Sequence, residues 1–477
     1  MTIVRVGDTI TAAVTQTPRA RSSLTDRAQG STAEMRIIII GAGAVGSYLA
    51  ERLSAEGQDV VVIEDDERSA HDLQSRIDAL VMVGNGASTA LLEEAGAERA
   101  DLLIAVSNND GANVLACHAG KEIGAKTTIA RIEEPELREG ADLLGVDVII
   151  DPSATAAEEL ADIVGLGGPS ELVQFADDKL VMIGGIVATN APITRGPLSL
   201  LRLRNADWGW VVAALVRDGQ TIVAHGDTEV RSGDHALVMT TEDKVERATK
   251  LIGLTRRHID RTIIMGGTRL AVLTARRMLD SGLEVVLVDE DSERAVKLAD
   301  KYPKALVMVG DPTDPDVLAS LDLGPNDVAL GLTGWDEVNL LSCLVAKASG
   351  AGMVISRFNR IPYVRLLAGV GIDAAVSSRL MAASAILRFV RQGNVEQVAT
   401  FSDTDAEAIE IEVAEGSEAV GKSLLELALP VGVIIGGISR KETTFVPDGS
   451  TVVRAGDHII FFALPRDIER SADLFTK

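Results

Sequence analysis

Three glycines and one carboxylate have the types and spacing needed to hold a nucleotide. In "IIIIGAGAVGSYLAERLSAEGQDVVVIEDD", residues 37–66, Gly41, Gly43 and Gly46 follow an apolar run directly in G-x-G-x-x-G order. The first glycine of such a turn permits tight reversal, the second lets a pyrophosphate approach the backbone, and the third lets helix and strand pack closely. The helix starting there offers free amides and a partial positive charge to phosphates. Ala42, Ala44 and Val45 complete the turn, and Glu64 closes the next apolar run, 18 residues past Gly46. A carboxylate at that strand end accepts hydrogen bonds from ribose hydroxyls and repels a 2′-phosphate, favouring NAD-type or adenine nucleotides over NADP.

A second, degenerate turn lies further along. "GGTRLA" at 266–271 keeps Gly266 and Gly267 but puts Thr268 where the second glycine belongs and Ala271 at the third. A β-branched side chain there obstructs a pyrophosphate, while Asp289 keeps the acidic strand end, so a ligand in this half stays open. No acid–base machinery accompanies either turn. His71 and His118 fall on predicted helices, His258 in a linker, and His225, His235 and His458 in β-type segments, the last two in equivalent "GDH" stretches read as turns. Cys117 and Cys343 have no His or Cys at ligand spacing and read as small core residues. Duplicating the nucleotide-binding part without adding a catalytic one suits a binding device; no catalytic residue, metal site or enzyme activity is expected.

The elements that must position these residues form an internal repeat. "GNGAS" at 84–88 returns as "GDPTD" at 310–314, and "AVSNNDGANVLAC" at 105–117 as "GLTGWDEVNLLSC" at 331–343, both shifted by 226. "VRSGDHALVM" at 230–239 returns as "VRAGDHIIFF" at 453–462, shifted by 223. Within each copy, short apolar runs alternate with helical stretches, the pattern of βαβ units around a parallel sheet buried on both faces. In the first copy the runs are 37–40, 60–63, 80–83, 102–106, 128–131 and 148–150; in the second they begin at Thr262, Glu284, Ala305, Val328, Met353 and Ala374. Ala-rich amphipathic segments at 153–166 and 377–393 then leave each sheet as crossover helices, and β-type segments follow. The expected fold is α/β: two tandem Rossmann-like parallel-sheet domains (35–150 and 259–376), each followed by a crossover helix and a small α+β lobe (151–255 and 377–477), after an extension over 1–34 read as disordered.

Composition narrows the class. The chain has 477 residues, 46% hydrophobic and 3% aromatic, which fits Val/Ile/Ala-rich α/β layers in several domains. A net charge of -24 argues against nucleic-acid binding and against adsorption to anionic lipid. The longest apolar runs fall far short of the roughly 20 residues of a membrane span, so membrane association must go through a partner. Two cysteines form no disulfide framework, which makes a reducing cytoplasm the default.

The succession of strand plus "GAGAVG", acidic strand end, "GNGAS", "AVSNNDGANVLAC", "ARIEEPEL" and a small β lobe resembles the RCK module, the regulator of potassium conductance. The resemblance runs from about 35 to 477. It implies a cytoplasmic, NAD-binding regulatory subunit of a Trk-type potassium uptake system. By it, residues 41–46 form the phosphate turn, Glu64 holds the ribose, Asn85 and Ala87 lie along the adenine, Ser107, Asn108, Asp110 and Asn113 line the mouth, and Arg131 reaches the phosphates or pairs with Glu133 or Glu134. The second-copy matches are Gly266, Gly267, Asp289, Asp311, Thr333, Asp336, Asn339 and Arg357, with Trp335 intruding at that mouth. It also implies NAD or NADH as ligand with ATP and ADP as alternatives, a TrkH/TrkG-like membrane potassium channel subunit as partner, and a homo-oligomer, four chains giving eight modules in a ring. A regulator of another cation transporter or antiporter, and an NAD-dependent dehydrogenase, are the competing readings.

Overall fold

The computed structural model describes residues 35–476 except 255–256, 361–369, 391–394, 402–403 and 405. The extension over 1–34 and the last residues of the second crossover segment lie outside the described residues. The first module has six strands, β1 (Arg36–Ile40), β2 (Asp59–Glu64), β3 (Leu80–Val83), β4 (Leu102–Ala105), β5 (Thr127–Arg131) and β6 (Val148–Ile150). All pair in parallel, in the order β3-β2-β1-β4-β5-β6.

Each module continues into an antiparallel lobe. The first lobe has β7 (Glu171–Phe175), β8 (Leu180–Ile186), β9 (Trp210–Arg217), β10 (Gln220–Val223) and β11 (His235–Thr241), ordered β10-β9-β11-β8-β7. The second parallel sheet, β12 (Arg261–Met265), β13 (Glu284–Asp289), β14 (Leu306–Val309), β15 (Asp327–Gly331), β16 (Met353–Arg357) and β17 (Ala374–Val376), repeats the order of the first. The second lobe, β18 (Val395–Thr400), β19 (Glu407–Glu412), β20 (Val433–Arg440), β21 (Thr443–Phe445) and β22 (His458–Ala463), repeats the order of the first lobe. The duplication extends to single hydrogen bonds. Arg217 forks onto Asp234 with both contacts at 2.7 Å, and Arg440 forks onto Asp457 with the same distances.

The unbroken apolar runs follow from burial on both faces. Ile37 and Ile39 pack on one side of β1, Ile38 and Ile40 on the other with Leu92, Val114 and Cys117. The first side is covered by an element that sequence order does not suggest. Ala382, Ala383, Ile386 and Leu387 of the second crossover helix, Ser378–Val390, sit in the core of the first module. The first crossover helix, Pro152–Leu166, puts Ala156, Leu160 and Ile163 against Ile264, Leu270 and Leu330 of the second. Local chemistry delimits this helix: Asp151 accepts the Ala154 amide at 3.1 Å, Pro152 occupies the first turn, and Gly167 ends it at φ +63°. The modules are thus joined by exchanged helices.

The lobes share a core too, in which Phe175, Leu180 and Met239 meet Phe401, Ile460 and Phe462. One departure from the sequence expectation lies here. His235 and His458 are not turn residues: each opens a strand, β11 and β22, because the Arg–Asp fork ends the turn one residue earlier. His235 is buried with Nε2 3.2 Å from the Ser170 hydroxyl, and His458 lies 3.6 Å from Glu410.

Candidate functional site

The strand order reverses direction between β1 and β4, and the crevice beyond their carboxyl ends is where open α/β sheets bind ligands. The first glycine turn lies there, each glycine with its own reason. Gly41 has φ +99°, and a side chain on it would meet the Ser107 backbone at 2.9 Å. A β-carbon on Gly46 would stand 1.9 Å from the Gly41 carbonyl oxygen, so helix–strand packing forbids one. Gly43 differs. It is extended, with φ −66° and ψ −169°, and a β-carbon there would meet nothing within 4 Å. Neither backbone nor packing demands this glycine; it keeps a space beside the backbone clear. It also begins the Ala44–Ala55 helix with no side-chain cap, so the first amides lack the partner that Ser, Thr, Asp or Asn supplies.

Glu64 steadies this turn. Its Oε2 accepts the Ala42 amide and its Oε1 the Asp66 amide at 3.0 Å, linking the end of β2 to the turn after β1. Asn85 closes an Asx turn onto the Ala87 amide at 2.9 Å. At the mouth, Asn113 is fully buried: its Oδ1 accepts from the Ser107 amide and hydroxyl at 3.0 and 2.7 Å, and its Nδ2 donates to the carbonyls of Ser107 and Arg131. Asp110 accepts the amides of Glu133 and Glu134 at 2.7 and 2.8 Å. Asn113 and Asp110 therefore hold the loops after β4 and β5 in place.

Arg131 stands at the end of β5 between two acceptors, Glu133 Oε1 at 2.5 Å and Asn108 Oδ1 at 3.2 Å. Of the two acids weighed for it, Glu133 is the partner. Burial pushes the Glu133 carboxyl up, but the charge and hydrogen bonds of Arg131, with help from Ser153 and Arg269, bring it net below the usual range. Arg269, in the first turn of the helix after the second glycine turn, lies 3.5 Å from Glu133 and also pairs with Asp151. One acid thus joins the first module's mouth to the second module's glycine turn. Sequence reading passed over Glu133 and Arg269 as a pair, and 136 residues of separation leave no local signal for it.

The second site is assembled from the same parts and closed by them. Thr268 caps the Arg269–Asp280 helix, accepting the Ala271 amide at 3.3 Å and donating to the Leu332 carbonyl at 2.6 Å. Asp289 is buried and already forked by Arg294, Nε at 3.0 Å and Nη2 at 2.9 Å. A β-carbon on Gly267 would meet Asp289 Oδ2 at 2.5 Å and Arg294 Cδ at 2.9 Å, so this arginine lies across the turn. Arg294 was not singled out from sequence; its place in the first turn of the Ser292–Lys301 helix, just past the acidic strand end, is the available clue. Thr333 and Asn339 reproduce the Ser107–Asn113 bracket, Asp311 accepts Thr313 at 2.8 Å, and Asp336 accepts the amides of Asn359 and Arg360. Burial pushes Arg357 below the usual guanidinium range, which Asp336 and Glu133 partly offset. Trp335 is 71% exposed and turned to solvent.

Residues 37–152 and 262–378 each match the TrkA-N domain family, and residues 408–476 match the TrkA-C domain family. A Trk system potassium uptake protein TrkA of Azorhizobium caulinodans is 32% identical over 92% of this chain and 98% of its own length. The chain belongs to the TrkA family. A TrkA homolog of Archaeoglobus fulgidus is likewise 32% identical, over 92% of this chain and all of its own. Two solved structures share the fold of this TrkA family member: the RCK domain of GsuK, with TM-score 0.57, 16% identity and coverage of 94% and 96%, and the GsuK channel bound to NAD, with TM-score 0.57, 17% identity and coverage of 94% and 80%. Among the described residues no helix is long and apolar enough to cross a membrane, and no group of His, Cys, Asp and Glu is arranged to hold a metal ion. Cys117 and Cys343 are free and fully buried, their thiols pushed by burial up to about 12.

Proposed function

We propose that this TrkA family member is a nucleotide-sensing regulatory subunit at the cytoplasmic face of the membrane, which gates a TrkH/TrkG-type potassium channel subunit. NAD or NADH, in competition with ATP and ADP, occupies the first turn: phosphates on the amides of residues 42–46, ribose on Glu64, adenine along Asn85 and Ala87. The observation that carries this reading is the open, uncapped backbone at Gly43, contrasted with the turn that Thr268 and Arg294 close. That a structural neighbour with the same fold is a channel bound to NAD supports the choice of ligand. Four chains assemble a ring of eight modules. Leu115 and Leu341, 58% and 49% exposed at equivalent positions of the two repeats, are apolar surface that such assembly covers.

A phosphate reaching Arg131 competes with Glu133, and Glu133 released from Arg131 moves toward Arg269 of the other module. Ligand binding thereby favours one arrangement of the module pair, and ligands of different charge favour it to different degrees. No bond is broken. Calorimetric titration of NADH, NAD, ATP and ADP into wild type and Glu64→Ala, with potassium flux in vesicles holding the channel subunit that co-purifies from membranes, tests the reading. A variant that binds and switches the channel as wild type does removes the site assignment; co-purification with a proton antiporter instead removes the partner.

A further inference from the structure

Away from both glycine turns, a cavity of about 470 Å³ opens between the two lobes. The same two stretches of the repeat line it from either side: 210–212 and 224–226 from the first lobe, 433–435 and 447–449 from the second, each pair 223 residues apart. Its volume falls within the range of about 300–1,000 Å³ that small-molecule sites occupy. Most of the wall is apolar, with Val212, Ala224, Leu429 and Ile435 among its residues.

The polar groups on this wall are unequal, although the repeat is symmetric. Trp210 is 1% exposed, and its indole N–H is buried with no hydrogen-bond partner; its repeat equivalent, Val433, has no polar atom. Arg202 uses one Nη2 on the Pro447 carbonyl at 2.6 Å and forms no ion pair with a described residue. Burial pushes its guanidinium below the usual range, and the charge of Asp448 offsets only part of that. The Asp448 carboxylate is itself committed, accepting the Ser450 amide and hydroxyl and the Thr451 hydroxyl. The wall therefore presents donors in want of an acceptor beside an apolar surface.

We infer that this cavity between the lobes is a second ligand site, separate from the nucleotide turn, for an amphipathic organic anion: a flat apolar body against the Val, Leu and Ile walls, with one acidic group on Arg202 and the Trp210 indole N–H. Such a ligand touches both lobes at once, so its occupancy bears on how they pack.

The test uses the full chain with NADH present and two probes, 8-anilinonaphthalene-1-sulfonate and its uncharged relative N-phenyl-1-naphthylamine. Gly226 lies at the rim, has no left-handed φ, and a β-carbon there meets only Ser199, at 3.4 Å, so Gly226→Phe fills the opening without strain. The expected result is saturable binding of the sulfonate at one per chain. Arg202→Met weakens the sulfonate by roughly ten-fold and leaves the uncharged probe unchanged. Trp210→Phe weakens the sulfonate by a smaller factor, and Gly226→Phe abolishes both. Sulfonate binding that survives Gly226→Phe, or that Arg202→Met leaves intact in a chain melting like wild type, overturns the proposal, as does absence of saturable binding to wild type.

Discussion

Gly43→Ala separates a glycine kept for a ligand from one kept for the fold. The added methyl enters space in which nothing stands within 4 Å, at a φ and ψ that alanine adopts freely. The cost to the fold is the loss of a glycine N-cap, about 0.5–1 kcal/mol, which moves the melting temperature of a chain this large by no more than about 3 °C. The cost to a bound pyrophosphate is larger, because the methyl stands where the phosphate approaches the amides of residues 44–46. One charge-assisted hydrogen bond lost there is worth roughly 1.5–3 kcal/mol, or about 10- to 150-fold in Kd for NADH. Gly46→Ala is the contrasting control: its methyl would sit 1.9 Å from the Gly41 carbonyl oxygen, so that variant loses folded protein rather than affinity alone. Calorimetry with NADH and a thermal melt on both variants decide the matter. If Gly43→Ala binds within about three-fold of wild type, the phosphates lie elsewhere and the reasoning fails. A collapse of its melting temperature fails it as well, by making Gly43 structural.

Four further outcomes follow from the geometry. Thr268→Gly with Arg294→Ala removes the side chain capping the second turn and the one crossing it, and calorimetry of the double variant then shows tighter NADH binding in the second module than wild type does there. Glu407→Gln, which strips the carboxylate from Arg52 across a 2.7 Å pair with side-chain exposures of 8% and 0%, costs about 3 kcal/mol in urea unfolding. Glu159 on the first crossover helix is raised to about 8 by burial and the charges of Glu171 and Asp162, so stability it contributes in the protonated form is complete below about pH 4.5 and lost as pH rises to about 8; Glu159→Gln flattens the fall in melting temperature over that window. Native protein leaves Cys117 and Cys343 unlabelled by a disulfide reagent at pH 8, and both label once the chain is unfolded in urea.

Several features were legible because their causes are local. The four isoleucines of 37–40 announce a strand buried on both faces, and Gly41 and Gly46 announce a tight turn and a close crossing. The 226-residue echo announces two like sheets before any topology is known, and β1 to β6 and β12 to β17 follow it in order. The roles of Ser107, Asn113 and Asp110 were less legible. A polar loop at the right height in a Rossmann sheet reads as ligand contact, but Asn113 spends its amide on the Ser107 and Arg131 backbone, a demand set by where β4 and β5 end in space.

By itself the sequence determined the two-module plan, the identity of the better-formed turn and the absence of catalytic side chains near it, since each depends on residue types within a few positions of one another. Only the tertiary structure decided which helix covers which sheet, that Glu133 serves Arg131 and Arg269 together, that Arg294 fills the second turn, and that a cavity remains between the lobes. Those contacts join residues from a handful to more than two hundred positions apart. Packing and charge neutralisation choose them after the chain has folded, and neither leaves a periodicity to read.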